Sequence, residues 1–459
     1  MAGPSATTPE VLPYDAKAQA EWLRALRDAV RKEPNALPSA QRARIELLEA
    51  DVAWLQRVDD GSRSDDRTFL RSVFSGFETL WGTTGSFWQR LRRTMRDSAT
   101  RLPATVAAEK PRNDFERDYT LFDRLSTHYG GQYRGAIVFS YRLAIVAVVL
   151  ALLSRLAHEI GLDAISHDAG LNLGIAEFVV VGAIFLLYLV GYTPESGARR
   201  RGWRRYFGRG WRQRWLEYRL LAERFRFAEL LRVTGLPLAD AWRRVLASHP
   251  GAHWLERHGR VPGELWHERL FLARMGEASV KPATAEFAAE FTRLLDEQRA
   301  YHQRVKERRG RIAHRLHALA SWCFVAALLF TLLHVPLLAE RAEDWIKAGI
   351  DRLPTALQFN VAIHPLKGVI ILVAGVLTGL AAAVHGTLAT SEYSKLSEIS
   401  GEMVRELDML SELTAEKLAA SPDIARLAPE VEAFCRLVTE DASGWTLLLR
   451  DKDLPRGGH

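Results

Sequence analysis

The residues best equipped for chemistry in this chain are arginines interleaved with aromatic side chains. From Trp215 to Arg226 the order WLEYRLLAERFR puts Trp215, Tyr218, Ala222 and Phe225 on one helical face, and Arg219 with Glu223, four apart, on another. A guanidinium presents a planar fork of donors to a phosphate or carboxylate, so Arg219 and Arg226 are candidate contacts for an anionic signal or an acidic partner. The simpler reading is a packing seam: the aromatic stripe is buried and the charged residues form its solvated flank.

A second cluster, DEQRAYHQR, lies at Asp296 to Arg304. Helical spacing groups Glu297 with Tyr301 and Gln298 with His302, and His314 and His317 follow three residues apart. The interval from His302 to His314 matches no two-histidine helical motif, so hydrogen bonds between helices are expected there and no metal. Gly202 to Gly210 lacks the strand, helix and Lys-Ser/Thr pair of a phosphate-binding loop, and the Ser, Cys and His residues form no recognisable nucleophile setting. Neither an enzyme nor a cofactor is expected. Two cysteines, Cys323 and Cys435, support neither a disulfide framework nor a zinc site.

These clusters sit among four apolar runs, at about 136–157, 171–192, 316–338 and 368–388, each close to the ~20 residues that cross a ~30 Å hydrocarbon core. The mean hydropathy of −0.10 is therefore an average of apolar segments and an Arg- and Glu-rich remainder. Helix-forming Ala, Leu, Glu and Arg prevail and short β-branched runs are few. The expected fold is all-α: an integral membrane protein with four transmembrane helices in two hairpins plus a cytoplasmic helical domain. Its parts are an N-terminal cytoplasmic helical region (1–113), a first transmembrane hairpin with a lead-in helix (114–192), a central basic cytoplasmic region (193–315), a second hairpin (316–388) and C-terminal cytoplasmic helices (389–459).

Ionisable residues inside such spans mark either ion pathways or neutralising pairs. Arg142, Arg155, Glu177 and His334 are the intramembrane polar residues. Arg155 and Glu177 lie at similar depth in an antiparallel hairpin and are predicted to pair, with His334 near the same face; a conduction path lined by Glu177 is the other use of that acid. Gly375, Gly379 and Ala383 recur every four positions and make a close-packing seam, within the bundle or between subunits.

The net charge of +7 is concentrated after the second run and before the third, at Arg199 to Arg209 and Arg304 to Arg315, whereas the connector after the first run is acidic. By the excess of Lys and Arg on cytoplasmic loops, both termini and the central region face the cytoplasm. Anionic lipid headgroups account for the basic charge, and nucleic acid is not the expected partner because no reading motif accompanies it. Met1 to Asp15 lacks the basic start and apolar run of a secretory signal. Phe69 to Arg96 is either an interfacial amphipathic segment or, the favoured reading, an aromatic face packed in a helical domain. Leu396, Ile399, Met403, Leu407, Leu410 and Leu413 suit a coiled-coil seam or packing against helices of the same chain.

The runs DRLSTHYGGQYRGAIVFSYRLA (Asp123 to Ala144), WLEYRLLAERFR, DEQRAYHQR and EDASGWTLLLRD (Glu440 to Asp451) resemble bacterial four-span membrane proteins related to the SLATT group, the SMODS and SLOG-associating transmembrane effectors of prokaryotic defence. The resemblance covers 115–451. It implies an inner-membrane effector, multi-pass and homo-oligomeric, that perturbs or permeabilises the host membrane when a cytosolic sensor protein or nucleotide signal triggers it. No recognisable sensor domain lies ahead of Phe115, so the trigger falls to 1–113 or to a separate partner. The alternative of another class is a non-catalytic scaffold or receptor that recruits a cytosolic partner through the central helices.

Overall fold

Two helices, of 46 and 53 residues, dominate the molecule, at 1.5 Å per residue about 69 and 80 Å long. The computed structural model describes residues 48, 50–55, 69–99, 114–159, 169–191, 210–247, 270–272, 274–276, 283, 286–338, 363–421 and 423–450. In chain order the helices are α1 (Phe69–Gly82), α2 (Phe87–Ala99), α3 (Asp114–Glu159), α4 (Ala169–Gly191), α5 (Trp211–Arg226), α6 (Leu238–Ala247), α7 (Glu286–Leu338), α8 (Ile363–Ser391), α9 (Tyr393–Ala420) and α10 (Ala428–Arg450). Residues 50–55, 270–272 and 274–276 are helical too, and no strand occurs among the described residues.

Continuity has a local cause. No proline interrupts α3, and the single proline of α7, Pro336, falls in its last turn. The lead-in segment and the first apolar run are thus one helix, and 286–315 runs into the third apolar run without a break at the 315/316 boundary. Between α8 and α9 the chain does break, at Glu392, whose φ of 52° is left-handed and turns the chain at the end of the apolar run.

The polar ends of these helices assemble into what we term the head. Residues 50–55, the first half of α3, α5, α6, the first half of α7, α9 and α10 share one core that includes Phe122, Phe225, Trp242, Phe271, Phe291 and Phe434. Each fully buried side chain of this kind is worth about 1.5–3 kcal/mol, so the head is held chiefly by aromatic packing. Met403, Leu407 and Leu410 of α9 are buried in it, which makes the leucine seam an intrachain packing face. A second, smaller core joins Phe77 of α1, Val138 of α3, Ile312, Leu316 and Ala320 of α7, Val384 and Leu388 of α8 and Tyr393 of α9, at the level where α3, α7 and α8 turn apolar.

Beyond that level α3, α4, α7 and α8 pack as an apolar bundle. Three stretches, Phe115–Leu156, Glu286–Leu332 and Gly368–Ala420, are long and apolar enough to cross a membrane; the described apolar part of α4, Asn172–Leu187, is shorter. Three of the four expected crossing helices therefore meet that description. Their outward residues are apolar: Trp322, Phe324, Leu328, Leu329 and Leu332 on α7, and Phe178, Val179, Phe185 and Leu186 on α4, are all exposed.

Small residues set the spacing inside the bundle. A Cβ on Gly375 would come within 2.7 Å of Leu152, and one on Gly379 within 3.0 Å of Val148, while Ala383 is buried. The seam of α8 is therefore filled by α3 of the same chain. At the top of the bundle Tyr141 lies against Gly386, and its hydroxyl hydrogen-bonds Thr390 at 2.9 Å.

Candidate functional site

The head encloses two adjoining polar networks, and α5 supplies residues to both. Of its sixteen residues ten are buried, among them Trp215, Tyr218 and Glu223, so its aromatic stripe is core and not an exposed docking face. Trp215 stacks on Tyr133 of α3, and Phe225 stacks on Phe122 with ring centres 5.5 Å apart. Gly130 lets Trp215 come this close, since a Cβ there would lie 2.8 Å from the indole.

The first network centres on Asp51, a buried carboxylate on the 50–55 helix. Tyr129 Oη of α3 donates to its Oδ1 at 2.5 Å, Arg214 Nη1 of α5 donates to the same oxygen at 2.8 Å, and Tyr218 Oη donates to Oδ2 at 2.6 Å. Arg214 also donates to Tyr129 Oη at 2.9 Å. Burial and the Asp51 charge push both tyrosine hydroxyls well above their usual range, so they remain donors at any physiological pH. One buried ion pair is thereby satisfied on both sides and links three elements.

The second network joins the two clusters that stand 70 residues apart in sequence. Arg219 pairs with Glu223 and, at 3.3 Å, with Asp123 of α3. Arg226 reaches Glu223 at 3.9 Å, and with the Gln298 amide oriented to satisfy its neighbours, the Gln298 oxygen accepts from Arg226 Nη1 and Nη2 at 3.2 and 3.0 Å. Burial works against the charge of Arg219, but Glu223, then Tyr301 and Asp123, hold its pKa above the ordinary arginine value. Burial raises the Asp123 carboxyl, opposed by Arg219.

His302 lies against this network, 5 % exposed, with no hydrogen-bond partner at Nδ1. Burial, then the charges of Arg219, Arg309 and Arg226, push its pKa down to about 4, which keeps the imidazole neutral. Arg309 is itself brought down to about 10 by burial and by Arg134, whose guanidinium sits 4.3 Å from the centre of the Trp215 ring. Tyr301 contacts His302 edge-on at 5.0 Å, whereas Glu297 faces solvent and pairs with Arg293 at 2.6 Å.

The Asp51 network holds its charges in the interior, whereas Arg219 and Asp123 of the second keep 33 % and 34 % of their side chains exposed. No group of three His, Cys, Asp or Glu side chains that could hold a metal ion occurs among the described residues. A change in charge at Arg219, Glu223 or Asp51 would instead displace neighbours on α3, α5 and α7, because a buried charge left without its partner costs several kcal/mol.

The intramembrane residues are dispersed. Arg142 and Arg155 point outward from α3, and Glu177 is half-buried on α4. Of the expected Arg155–Glu177 pair, Arg155 is exposed on α3 and Glu177 half-buried on α4. Equal depth does not fix rotation about the helix axis, and Arg155 is turned outward. The side chain of His334 lies outside the described residues.

Sequence reasoning missed Asp51, Tyr129 and Arg214, although two of them carry a signal. Asp51 occupies the apolar stripe Leu48, Val52, Leu55, and Arg214 stands one turn before Tyr218 on the aromatic face. Charged residues of opposite sign at core positions of two helices call for each other. Comparison with known proteins returns no matching family model, no matching curated protein and no matching solved structure.

Proposed function

We propose that the chain is a multi-pass membrane protein with four spans in two hairpins, and that its head relays a cytoplasmic signal into the bundle, whose response perturbs the membrane. The observation that carries this reading is the continuity of α3 and α7. Tyr129, bound to Asp51 in the head, and Tyr141, bound to Thr390 in the bundle, lie twelve residues apart on one unbroken helix, about 18 Å along its axis. A rotation of α3 forced by the head is felt where α3 meets α8.

The spans are supported by the outward faces. Phe178 is 78 % exposed and Trp322 73 %, amid further exposed Val, Leu and Phe, a surface that would aggregate in water and is suited to lipid tails. With 23 residues α4 is about 34 Å long, enough to complete the first hairpin. Arg304, Lys306, Arg308, Arg309, Arg311 and Arg315 precede the apolar part of α7, and this excess of basic residues supports a head in the cytoplasm.

Within one copy the small residues of α8 are already occupied by Leu152, Val148 and Tyr141. Permeabilisation is accordingly assigned to an assembly of several copies. The setting in prokaryotic defence, the inner membrane and the sensor or nucleotide trigger rest on the resemblance of the quoted motifs to SLATT-related proteins. The test is induction of the full chain, with the genes that neighbour it, in bacteria carrying a membrane-potential dye. Depolarisation that Asp51→Asn abolishes is the expected result; intact potential and viability would overturn the effector reading in favour of a recruiting scaffold.

A further inference from the structure

α2 has an apolar face that nothing among the described residues covers, and its place in the fold says what does. A capping box sets its start: Ser86 N donates to Gln89 Oε1 at 3.0 Å, and Gln89 N donates to Ser86 Oγ at 3.3 Å. On the helix so oriented, Arg90 and Thr94 turn toward α1, where Arg90 Nη1 donates to the Leu80 carbonyl at 2.8 Å and Thr94 lies beside Gly76. The adjoining arc of about 100° carries Phe87, Leu91, Met95 and Trp88. Trp88 is 67 % exposed and Met95 64 %; Arg92, next round the helix from Trp88, is exposed as well, and Arg93 is exposed on the opposite side.

The height of this hairpin relative to the bundle is fixed at both ends of α1. At its start Phe69 meets Phe139 edge-on, and a side chain on Gly135 would run into the Leu70 carbonyl; 135–139 is where α3 turns apolar. At its end Arg315 Nη1 donates to the carbonyls of Trp81 and Thr83, both at 2.7 Å, and Arg311 Nε donates to that of Gly82 at 3.2 Å. Arg315 is the last charged residue before the apolar run of α7. α1 therefore lies across the bundle in the plane where α3 and α7 change from polar to apolar, and the 83–86 turn delivers α2 into the same plane.

We propose that α2 is a membrane-surface anchor whose Phe87, Leu91, Met95 and Trp88 face enters the headgroup region of an anionic leaflet, with Arg92 on the lipid phosphates. The inference rests on the reading that the bundle spans a membrane. It is carried by an exposed aromatic face, an arginine flank of the sign that anionic lipid requires, and the position of α1, to which α2 is joined, level with the point of entry. Because α1 is clamped between the junctions of α3 and α7, the anchor holds the two long helices at a set height.

The test is site-directed spin labelling of the full chain in vesicles of phosphatidylcholine with phosphatidylglycerol, the buried Cys323 and Cys435 being replaced by Ala. Labels go at Trp88→Cys and Met95→Cys, with Leu328→Cys on the outer face of α7 as the lipid reference and Met409→Cys on α9 as the water reference. The expected result is an oxygen-to-nickel-chelate accessibility ratio at 88 and 95 severalfold above that at 409, reduced when Arg92→Glu is added. Ratios equal to that at 409 would overturn the anchor, and so would protection from both oxygen and nickel, the mark of a protein partner or second copy. If the label at 328 is itself water-accessible, the spanning reading fails and the anchor with it; lipid exposure at 328 with water exposure at 88 and 95 removes the anchor alone.

Discussion

Removal of the Asp51 carboxylate tests the buried network that ties the N-terminal helix to α3 and α5. Asp51→Ala takes the acceptor from Tyr129, Arg214 and Tyr218 at once and removes the carboxylate that pairs with the buried Arg214 guanidinium. Stranding one member of a buried ion pair costs about 3–5 kcal/mol. At roughly 2–4 °C per kcal/mol for a domain of about 200 residues, the melting midpoint should fall by roughly 6–20 °C. Asp51→Asn keeps the shape and an acceptor oxygen, and the Tyr218 hydroxyl can turn to accept from the amide, so its cost is lower, about 1–3 kcal/mol. Asp51→Leu combined with Arg214→Met removes both charges and should melt above Asp51→Ala, the two tyrosine hydroxyls remaining as the residual cost. Thermal unfolding in detergent micelles, followed by the fluorescence of the thirteen tryptophans, reads all three variants. If Asp51→Ala melts with the parent, the network does not exist as described.

His302 gives a pH signature. Its pKa is depressed to about 4 by burial and by Arg219, Arg309 and Arg226, so between about 4 and 6.5 the unfolded chain binds a proton that the folded one refuses. Stability from this residue is complete above about pH 6.5 and falls as pH drops toward 4, by about 3 kcal/mol at most. His302→Gln should flatten the difference in melting midpoint between pH 7 and pH 5, and an unchanged difference would refute the assignment. In the bundle, Gly386→Val drives a side chain into the Tyr141 ring and away from the Tyr141–Thr390 bond, and overpacking of this kind costs about 1–3 kcal/mol. A melt matching the parent would show that α3 and α8 do not meet there. Arg219→Ala, which leaves Glu223 and Asp123 facing each other without their shared cation, should destabilise the head more than Arg293→Ala, which breaks only the exposed pair with Glu297; equal melts would show Arg219 to be a surface residue.

The helical class and three helices long and apolar enough to cross a membrane were legible because they follow from local signals, namely apolar runs, helix-forming composition and the absence of proline. The site was legible only in pieces. Trp215 to Arg226 and Glu297 to His302 each read correctly as helical faces, but their union through Arg226 and Gln298 depends on how α5 crosses α7, which no spacing within either segment encodes. Asp51 and Arg214 each looked like a single exception to an apolar stripe; only their partnership makes them a feature. The Arg155–Glu177 expectation used depth alone and omitted rotation about the helix axis. For Phe69 to Arg96 the favoured packed face suits α1, which buries Leu70 and Phe77, and not α2, whose aromatic face depends on the plane in which α1 is held.

The central claim, a chain that crosses the bilayer four times with its head in the cytoplasm, is tested most directly by thiol accessibility in intact cells. Single cysteines at Asp163, between α3 and α4, at Trp345, between α7 and α8, and at Met409 on α9 are treated with a membrane-impermeant maleimide before and after permeabilisation. The account predicts labelling at 163 and 345 in intact cells and at 409 only after permeabilisation. Protection of 163 together with 409 in intact cells would mean that the α3–α4 hairpin does not cross, and labelling of 409 from outside would place the head on the wrong side of the membrane.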